Sequence, residues 1–242
     1  MASITKDFTI YPISEKAISI EFGNQIDEEI RQKISHLNQC ILKEPFFGFL
    51  NTVPAYTTLT IFFEPLELQK NASLQGSTCL EKITFYLSRM KDELKNQFKK
   101  DSKIISIPVC YEDTFGLDLE ELSNLHQLDK EKIIELHSEA IYSVYMIGFV
   151  PGFPYLGGLN EILNSSRKAN PRKAIPAGSV GIAGMQTGIY PLETPGGWQI
   201  IGRTPLKLFD ALRPRPSLLK AGDRIKFEPI TKSEFERIAK KP

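Results

Sequence analysis

Hydrophobic positions in the first hundred residues alternate between two periods. Phe8 to Pro12 and Ala17 to Phe22 are short runs rich in aromatic and β-branched residues, the second broken by Gly23-Asn24, and they predict strands. Ile26, Ile30, Ile34, Leu37 and Ile41 then recur at spacings of four and three. With Asp27, Glu28 and Glu29 in the opening turn and Lys43 in the last, they predict an amphipathic helix whose charges suit its dipole. Phe46 to Val53 and Thr57 to Phe63 return to strand character on either side of Pro54-Ala55-Tyr56. Thr78 and Glu81 stand at capping-box spacing, and Leu80, Ile83, Leu87, Met90 and Leu94 make the apolar stripe of a second helix. The order strand, strand, helix, strand, strand, helix predicts a small α+β domain, ferredoxin-like in kind, with helices over one face of a largely antiparallel sheet. The charged stretch Lys91 to Lys103 gives way to Ile104-Ile105-Ser106-Ile107-Pro108-Val109, so the expected division is 1–102 and 103–242.

The second half has a different texture. A helical pair is expected at Leu117 to Leu125 and Lys130 to Ala140, the latter opened by Asp129 as N-cap. Eleven of the sixteen glycines then fall between Gly148 and Gly202, with prolines among them. A long helix cannot hold that density, because each interior Gly costs about 1 kcal/mol and each Pro about 3. Short strands joined by tight turns are expected instead, at Ser179–Ala183, Gly188–Tyr190, Trp198–Ile201 and Arg224–Phe227, with Thr194-Pro195-Gly196-Gly197 as the clearest turn. No period of 20 to 50 residues is present.

Composition narrows the function. The net charge of +1 leaves no field to gather a polyanion, so nucleic acid is not an expected partner. The distribution is uneven: Pro151 to Lys226 holds eleven Lys/Arg against four Asp/Glu, which suits a small anionic ligand or an acidic partner face. No apolar run is long enough for a membrane span, and MASITKDFTIYP lacks the features of a secretion signal, so a soluble, cytoplasmic protein is expected. Cys40, Cys79 and Cys110, odd in number and set among apolar residues, fit reduced thiols.

The common catalytic signatures are absent: no P-loop, no G-x-G-x-x-G after a strand, no nucleophile elbow around Ser179. The glycines of Gly178-Ser-Val-Gly181-Ile-Ala-Gly184 suit turns or a bulge better than a phosphate cradle. His36, His126 and His137 have no ligand partner at metal-binding spacing, so no built-in metal site is expected. His137, on the edge of an apolar helix face, fits a hydrogen-bonded core residue better than a general base. The candidate substrate-binding residues are Gln186, Thr187, Tyr190, Thr194, Trp198 and Arg203, polar or aromatic groups interleaved with glycines, together with Arg172 of the basic run Arg167-Lys168 and Arg172-Lys173. Arg203 is suited to a carboxylate and Trp198 to an apolar wall. Packing of Trp198 in a barrel and pairing of Arg203 with Glu193 or Asp210 are the alternatives. Solvated surface charge is the first reading of the basic run, and docking of an acidic partner the second.

Val144-Tyr-Met-Ile-Gly148-Phe-Val-Pro-Gly152-Phe-Pro-Tyr-Leu156-Gly-Gly, Pro171-Arg172 and the long run from Ile175 through Gly184, Tyr190 and Pro195 to Gly202-Arg-Thr-Pro resemble a family signature, that of the 5-oxoprolinase B subunit, KipI and allophanate hydrolase subunit 1. Leu208-Phe209-Asp210 and Ala221-Gly222-Asp223 continue it, and Glu21-Phe22-Gly23 and Val53-Pro54-Ala55-Tyr56 fit more loosely. The resemblance implies a small α+β domain followed by a cyclophilin-like β-barrel. It further implies one component of an ATP-dependent 5-oxoprolinase, with ATP as co-substrate and with the larger C subunit and the A subunit as partners. Catalytic residues are not assigned by it. One branch of the same family inhibits a sensor histidine kinase, which makes kinase binding the alternative role.

Overall fold

The computed structural model describes residues 3–4, 8–90 and 103–240. The expected boundary segment and Leu94 lie outside these residues. The chain divides into two compact units, Met1–Lys100 and Asp101–Pro242.

In the first unit the strands β1 (Ser3–Ile4), β2 (Thr9–Ser14), β3 (Ala17–Glu21), β4 (Phe49–Pro54) and β5 (Thr58–Phe63) form an antiparallel sheet in the order β1-β2-β3-β5-β4. Helix α1 (Glu28–Lys43) starts where Asp27 Oδ1 accepts the N–H groups of Glu29 and Ile30. Helix α3 (Cys79–Arg89) opens with the expected Thr78–Glu81 capping box. Leu59, Ile61 and Phe63 alternate inward from β5 and pack with Ile34, Leu37 and Ile41 of α1 and Ile83 and Leu87 of α3. Between them lies α2 (Pro65–Lys70), which the periodicity does not reveal because six residues are too few to establish a repeat. Strands β3 and β4 both run antiparallel to β5 and are joined through α1, a split β-α-β arrangement. A ferredoxin-like fold would continue with a later strand beside β3. That place is held by β2, which arrives as a hairpin from the N-terminal side, so the ferredoxin-like detail is not reproduced among the described residues.

In the second unit seven strands follow the order β13-β10-β11-β8-β7-β14-β6. They are β6 (Ile104–Val109), β7 (Ile141–Ile147), β8 (Pro154–Gly157), β10 (Ser179–Ala183), β11 (Gln186–Ile189), β13 (Gln199–Arg203) and β14 (Arg224–Pro229), antiparallel except for the parallel pair β14–β6. The sheet curls until its two edge strands meet, where Cys110 and Arg203 exchange N–H···O bonds of 2.9 Å in both directions. Helices α4 (Leu119–His126) and α5 (Lys130–Glu139) follow β6, and α6 (Lys232–Ala239) follows β14. Asp129 occupies the N-cap position of α5 with extended backbone, but its side chain makes no capping bond.

The inner face of the curl is filled by Val109, Tyr142, Val144, Leu156, Val180, Ile182, Ile189, Ile201, Ile225 and Phe227. All five residues of β10 are buried, because its outer face is covered too, by Phe153, Ile175, Tyr190, Trp198 and Ile200. This double burial explains much of the glycine density. A Cβ on Gly188 would lie 2.9 Å from Trp198 Cζ3 and 3.0 Å from Phe153 Cε1, and one on Gly181 would press on Trp198 at 3.1 Å. These glycines let aromatic rings lie against the wall. Gly178 and Gly184, at φ +85° and +58°, flank β10 in the left-handed region, and a bulge sits at Val180/Gly181, so the three-residue spacing marks turns and a bulge.

One expected turn is a strand. Thr194–Gly196 (β12) pairs with Arg172–Ile175 (β9), Thr194 opposite Ile175 and Gly196 opposite Arg172. Pro195 falls at the irregularity between them, where a residue without an N–H removes no ladder bond. The β9–β12 ribbon forms a flap over the outer wall, and a Cβ on Gly196 would come within 2.4 Å of the Tyr190 hydroxyl.

Candidate functional site

The most strongly built polar cluster of the second unit joins the barrel edge to this flap. Just before α4, Asp118 has a side chain only 2% exposed. Its backbone N–H donates to Ile200 O at 2.8 Å and its Oδ2 accepts from Ile200 N–H at 2.6 Å, so one residue covers both backbone groups of Ile200 on edge strand β13. The same carboxylate accepts both arms of the Arg172 fork, at 2.8 and 2.6 Å, and the Lys168 ammonium at 2.9 Å. Lys168 also reaches Glu121 at 2.6 Å. Burial pushes the Asp118 carboxyl up, but Arg172, the Ile200 amide and Lys168 outweigh it, and its pKa ends below the ordinary 3.8.

A second cluster lies inside the curl. His137 is fully buried, stacked on Phe227 at 4.5 Å, with Tyr111 Oη 2.9 Å from Nδ1 and Thr187 Oγ1 2.9 Å from Nε2. The Thr187 hydroxyl donates to Gly181 O at 3.0 Å. Having one proton, it must accept from His137, which places the imidazole proton on Nε2 and leaves Nδ1 to accept from Tyr111. The relay is complete without charge, and burial lowers the His137 pKa from 6.5 to about 3. The expectation of a hydrogen-bonded core histidine matches this arrangement.

The sequence-derived candidates are therefore dispersed. Thr187 belongs to the inner relay. Tyr190 and Trp198 lie in the outer aromatic cluster, where burial pushes the Tyr190 phenol up to about 12. Gln186 is half-buried at the start of β11, and Thr194 is half-buried on the flap. Arg203 stands at the barrel seam, its Nε donating to Ala177 O at 2.7 Å and its guanidinium 6.0 Å from the Phe235 ring, rather than pairing with Glu193 or Asp210. Arg172 has both arms on Asp118. Half of the basic run thus corrects the reading as solvated charge: Lys168 and Arg172 turn inward onto Asp118, while Arg167 and Lys173 are exposed. Asp118 itself is not among the sequence-derived candidates. Among the described residues, no group of three or more His, Cys, Asp or Glu is placed to hold a metal, all three cysteines carry free thiols, and no helix is long and apolar enough to cross a membrane.

Two further features border these clusters. A groove of about 710 Å³ is lined by Tyr111, Glu112, Lys130, Ile134, Ile230 and Lys232 among others, and none of the sequence-derived candidates lines it. The β7–β8 hairpin carries Phe149 at φ +67°, a left-handed conformation that costs a side-chain-bearing residue about 1–2 kcal/mol. Phe149 as a whole is 61% exposed.

Comparison with known proteins places this architecture. Residues 8–219 match the family model described as carboxyltransferase domain, subdomain C and D. The chain is 41% identical over 232 residues, 96% of its length and 97% of the relative's, to the Bacillus subtilis protein named as the B subunit of 5-oxoprolinase. Among solved structures, TTHA0988 superposes with a TM-score of 0.73 at 33% identity, covering 89% of this chain and 40% of that one. The Kluyveromyces lactis urea amidolyase shares the fold at 22% identity and a TM-score of 0.70, over 95% of this chain and 15% of that one. In both structures the matching part is a segment of a much longer polypeptide. The mixed α+β architecture, with its curled sheet sealed by Asp118 and overlaid by the flap, is the carboxyltransferase subdomain C and D fold, and the chain belongs to that family, in the group that holds the 5-oxoprolinase B subunits.

Proposed function

We propose that this chain is the B subunit of an ATP-dependent 5-oxoprolinase, hydrolysing 5-oxoproline to L-glutamate with ATP cleavage in a cytoplasmic complex with the larger C subunit and the A subunit. The observation that carries this reading is the near end-to-end identity of 41% with a protein of that name, which leaves little of either chain outside the match. The longer chains that contain the same segment support a context of further domains or subunits. In this reading the second unit resembles a cyclophilin-like barrel, as the curled sheet and its seam at Cys110 and Arg203 suggest.

The chemistry sets what the complex must provide. A lactam amide is a poor electrophile, and transfer of the ATP γ-phosphoryl to its oxygen makes the ring carbon open to water. Negative charge then gathers on the phosphoryl group beside the substrate's own carboxylate, and fixed cations stabilise both. Arg172 and Lys168 are already neutralised by Asp118 and Glu121, so their task is to hold the flap. Tyr190 and Trp198 support the wall beneath it, and Thr187 the core. The groups that touch ATP come in this scheme from the assembled complex. The test is 5-oxoproline-dependent release of ADP and glutamate by the chain mixed with its partner subunits. Release that requires this chain is expected; equal release without it refutes the proposal.

A further inference from the structure

The β7–β8 hairpin invests backbone strain in an exposed ring. Its tip is fixed by three backbone bonds, Gly148 N–H to Phe153 O at 3.1 Å, Val150 N–H to Gly148 O at 2.8 Å and Phe153 N–H to Val150 O at 3.1 Å. Gly152, at φ +84°, lies so close to Phe209 that a Cβ would fall 2.7 Å from its Cβ, which anchors the tip from below. Phe149 is held in the left-handed region by this scaffold, and its ring touches the aromatic cluster only edge-on, at 5.7 Å from Phe153. A strained bulky residue that faces solvent from a well-fixed loop returns to the core only that one edge contact, and such outliers gather at binding sites. Beneath it the buried Phe153 ring links Phe149 to half-buried Tyr155, 4.8 Å from Phe153. The exposed guanidinium of Arg167 is close enough to Tyr155 and Tyr190 to offset part of the upward push that burial exerts on their phenols. Phe, Tyr and Arg around a fixed apolar centre are the composition of an interface core.

Resting on the 5-oxoprolinase reading above, we propose that Phe149, with Tyr155 and Arg167, is the docking surface for the larger partner subunit, which presents an apolar pocket bordered by carboxylates. Charge decides the partner's chemistry. Of the eleven Lys/Arg between Pro151 and Lys226, Lys168 and Arg172 are turned onto Asp118, and Lys207, Arg213 and Lys220 pair with Asp210 and Asp223, while Arg167 and Lys173 face outward. An acidic rim complements that face, and the phenylalanine fills its centre.

The test measures binding of the full chain to the purified larger 5-oxoprolinase subunit by calorimetry, with thermal unfolding of the chain alone alongside. Phe149→Gly is the decisive variant, because glycine relieves the left-handed strain. Its melting temperature should hold or rise while affinity for the larger subunit falls by about tenfold or more. Arg167→Glu should weaken binding further at low salt than at high salt. Wild-type affinity in both variants overturns the docking surface and leaves the enzyme reading standing. Failure of the unaltered chain to bind the larger subunit overturns both. Loss of self-association by Phe149→Gly in sedimentation, with binding to the larger subunit intact, assigns the surface to a second copy of the chain and overturns the proposal as well.

Discussion

The second unit buries two polar clusters a few strands apart, and it satisfies them in opposite ways. Inside the curl, Tyr111, His137, Thr187 and the Gly181 carbonyl pass hydrogen bonds along a line in which every group is neutral. At the seam, Asp118 stays charged, with a guanidinium, an ammonium and a backbone amide around it. The difference follows from position. A charge in the closed interior would have apolar neighbours such as Phe227 and Tyr142, whereas the seam lets long cationic side chains arrive from the flap with their stems against protein and one flank near water. The neutral cluster orders the core. The charged one ties three remote segments together, 118, 168–172 and 200, and so decides whether the flap lies on the wall.

The comparison breaks most visibly at Asp118. Asp118→Ala would leave Arg172 and Lys168 without their buried partner and the Ile200 N–H without an acceptor, and a loss of about 3–5 kcal/mol in urea unfolding is expected. A loss below about 1 kcal/mol would show that the seam does not depend on the carboxylate.

Acid separates the clusters in a second way. His137 titrates at about 3 in the native chain and at 6.5 when its neighbours are gone. The unfolded chain therefore binds a proton that the native one refuses, and the stabilisation is complete above 6.5 and drains as pH falls toward 3. The slope approaches about 1.4 kcal/mol per pH unit, or roughly 2–3 kcal/mol by pH 4.5. Asp118 is also depressed, but from 3.8, so its contribution is present above that value and is lost only at lower pH. His137→Gln offers the same donor to Thr187 and acceptor to Tyr111 without a titrating group. It should flatten the stability profile between pH 6.5 and 4.5, and an unchanged slope in that variant would assign the effect elsewhere.

How much of this can be read from the chain alone depends on the distance between partners. The capping box of α3 is legible because its two groups lie three residues apart. The glycines at 178, 181 and 184 give away turns and a bulge for the same local reason. Asp118 gives no such signal: its partners are 50, 54 and 82 residues away, and a lone Asp ahead of a helix is the commonest of capping patterns. Strand β7 escapes the sequence reading because it follows α5 after Ala140 with no Gly or Pro between them. Arg172 and Thr187 stand out as polar groups of consequence, but nothing local tells that one faces a buried carboxylate and the other a buried histidine. Residue type identifies the family, and only the pairing tells wall from flap.

Removing a single partner from each cluster sharpens the contrast. Thr187→Val keeps the shape and deletes the hydroxyl, leaving His137 Nε2–H without its acceptor and removing the hydroxyl's bond to Gly181 O. In a closed interior no water replaces the lost acceptor of His137, so a loss of about 1–3 kcal/mol is expected despite the absence of any charge. A nearly neutral result would show that the relay relaxes around the gap.

Lys168→Met should cost least, under about 1 kcal/mol, although it removes a full charge from a buried carboxylate. Asp118 would keep the two-armed Arg172 contact and the Ile200 amide, which together leave it neutralised and with an acceptor bond on each oxygen. Glu121, the other acidic partner of Lys168, is 61% exposed and is hydrated when left alone. The remaining difference from the unaltered chain should shrink as salt rises, since what is lost is mainly the exposed half of the network. Urea unfolding at low and high salt measures both quantities. If Lys168→Met instead cost as much as Asp118→Ala, the three charges would be acting as one indivisible unit.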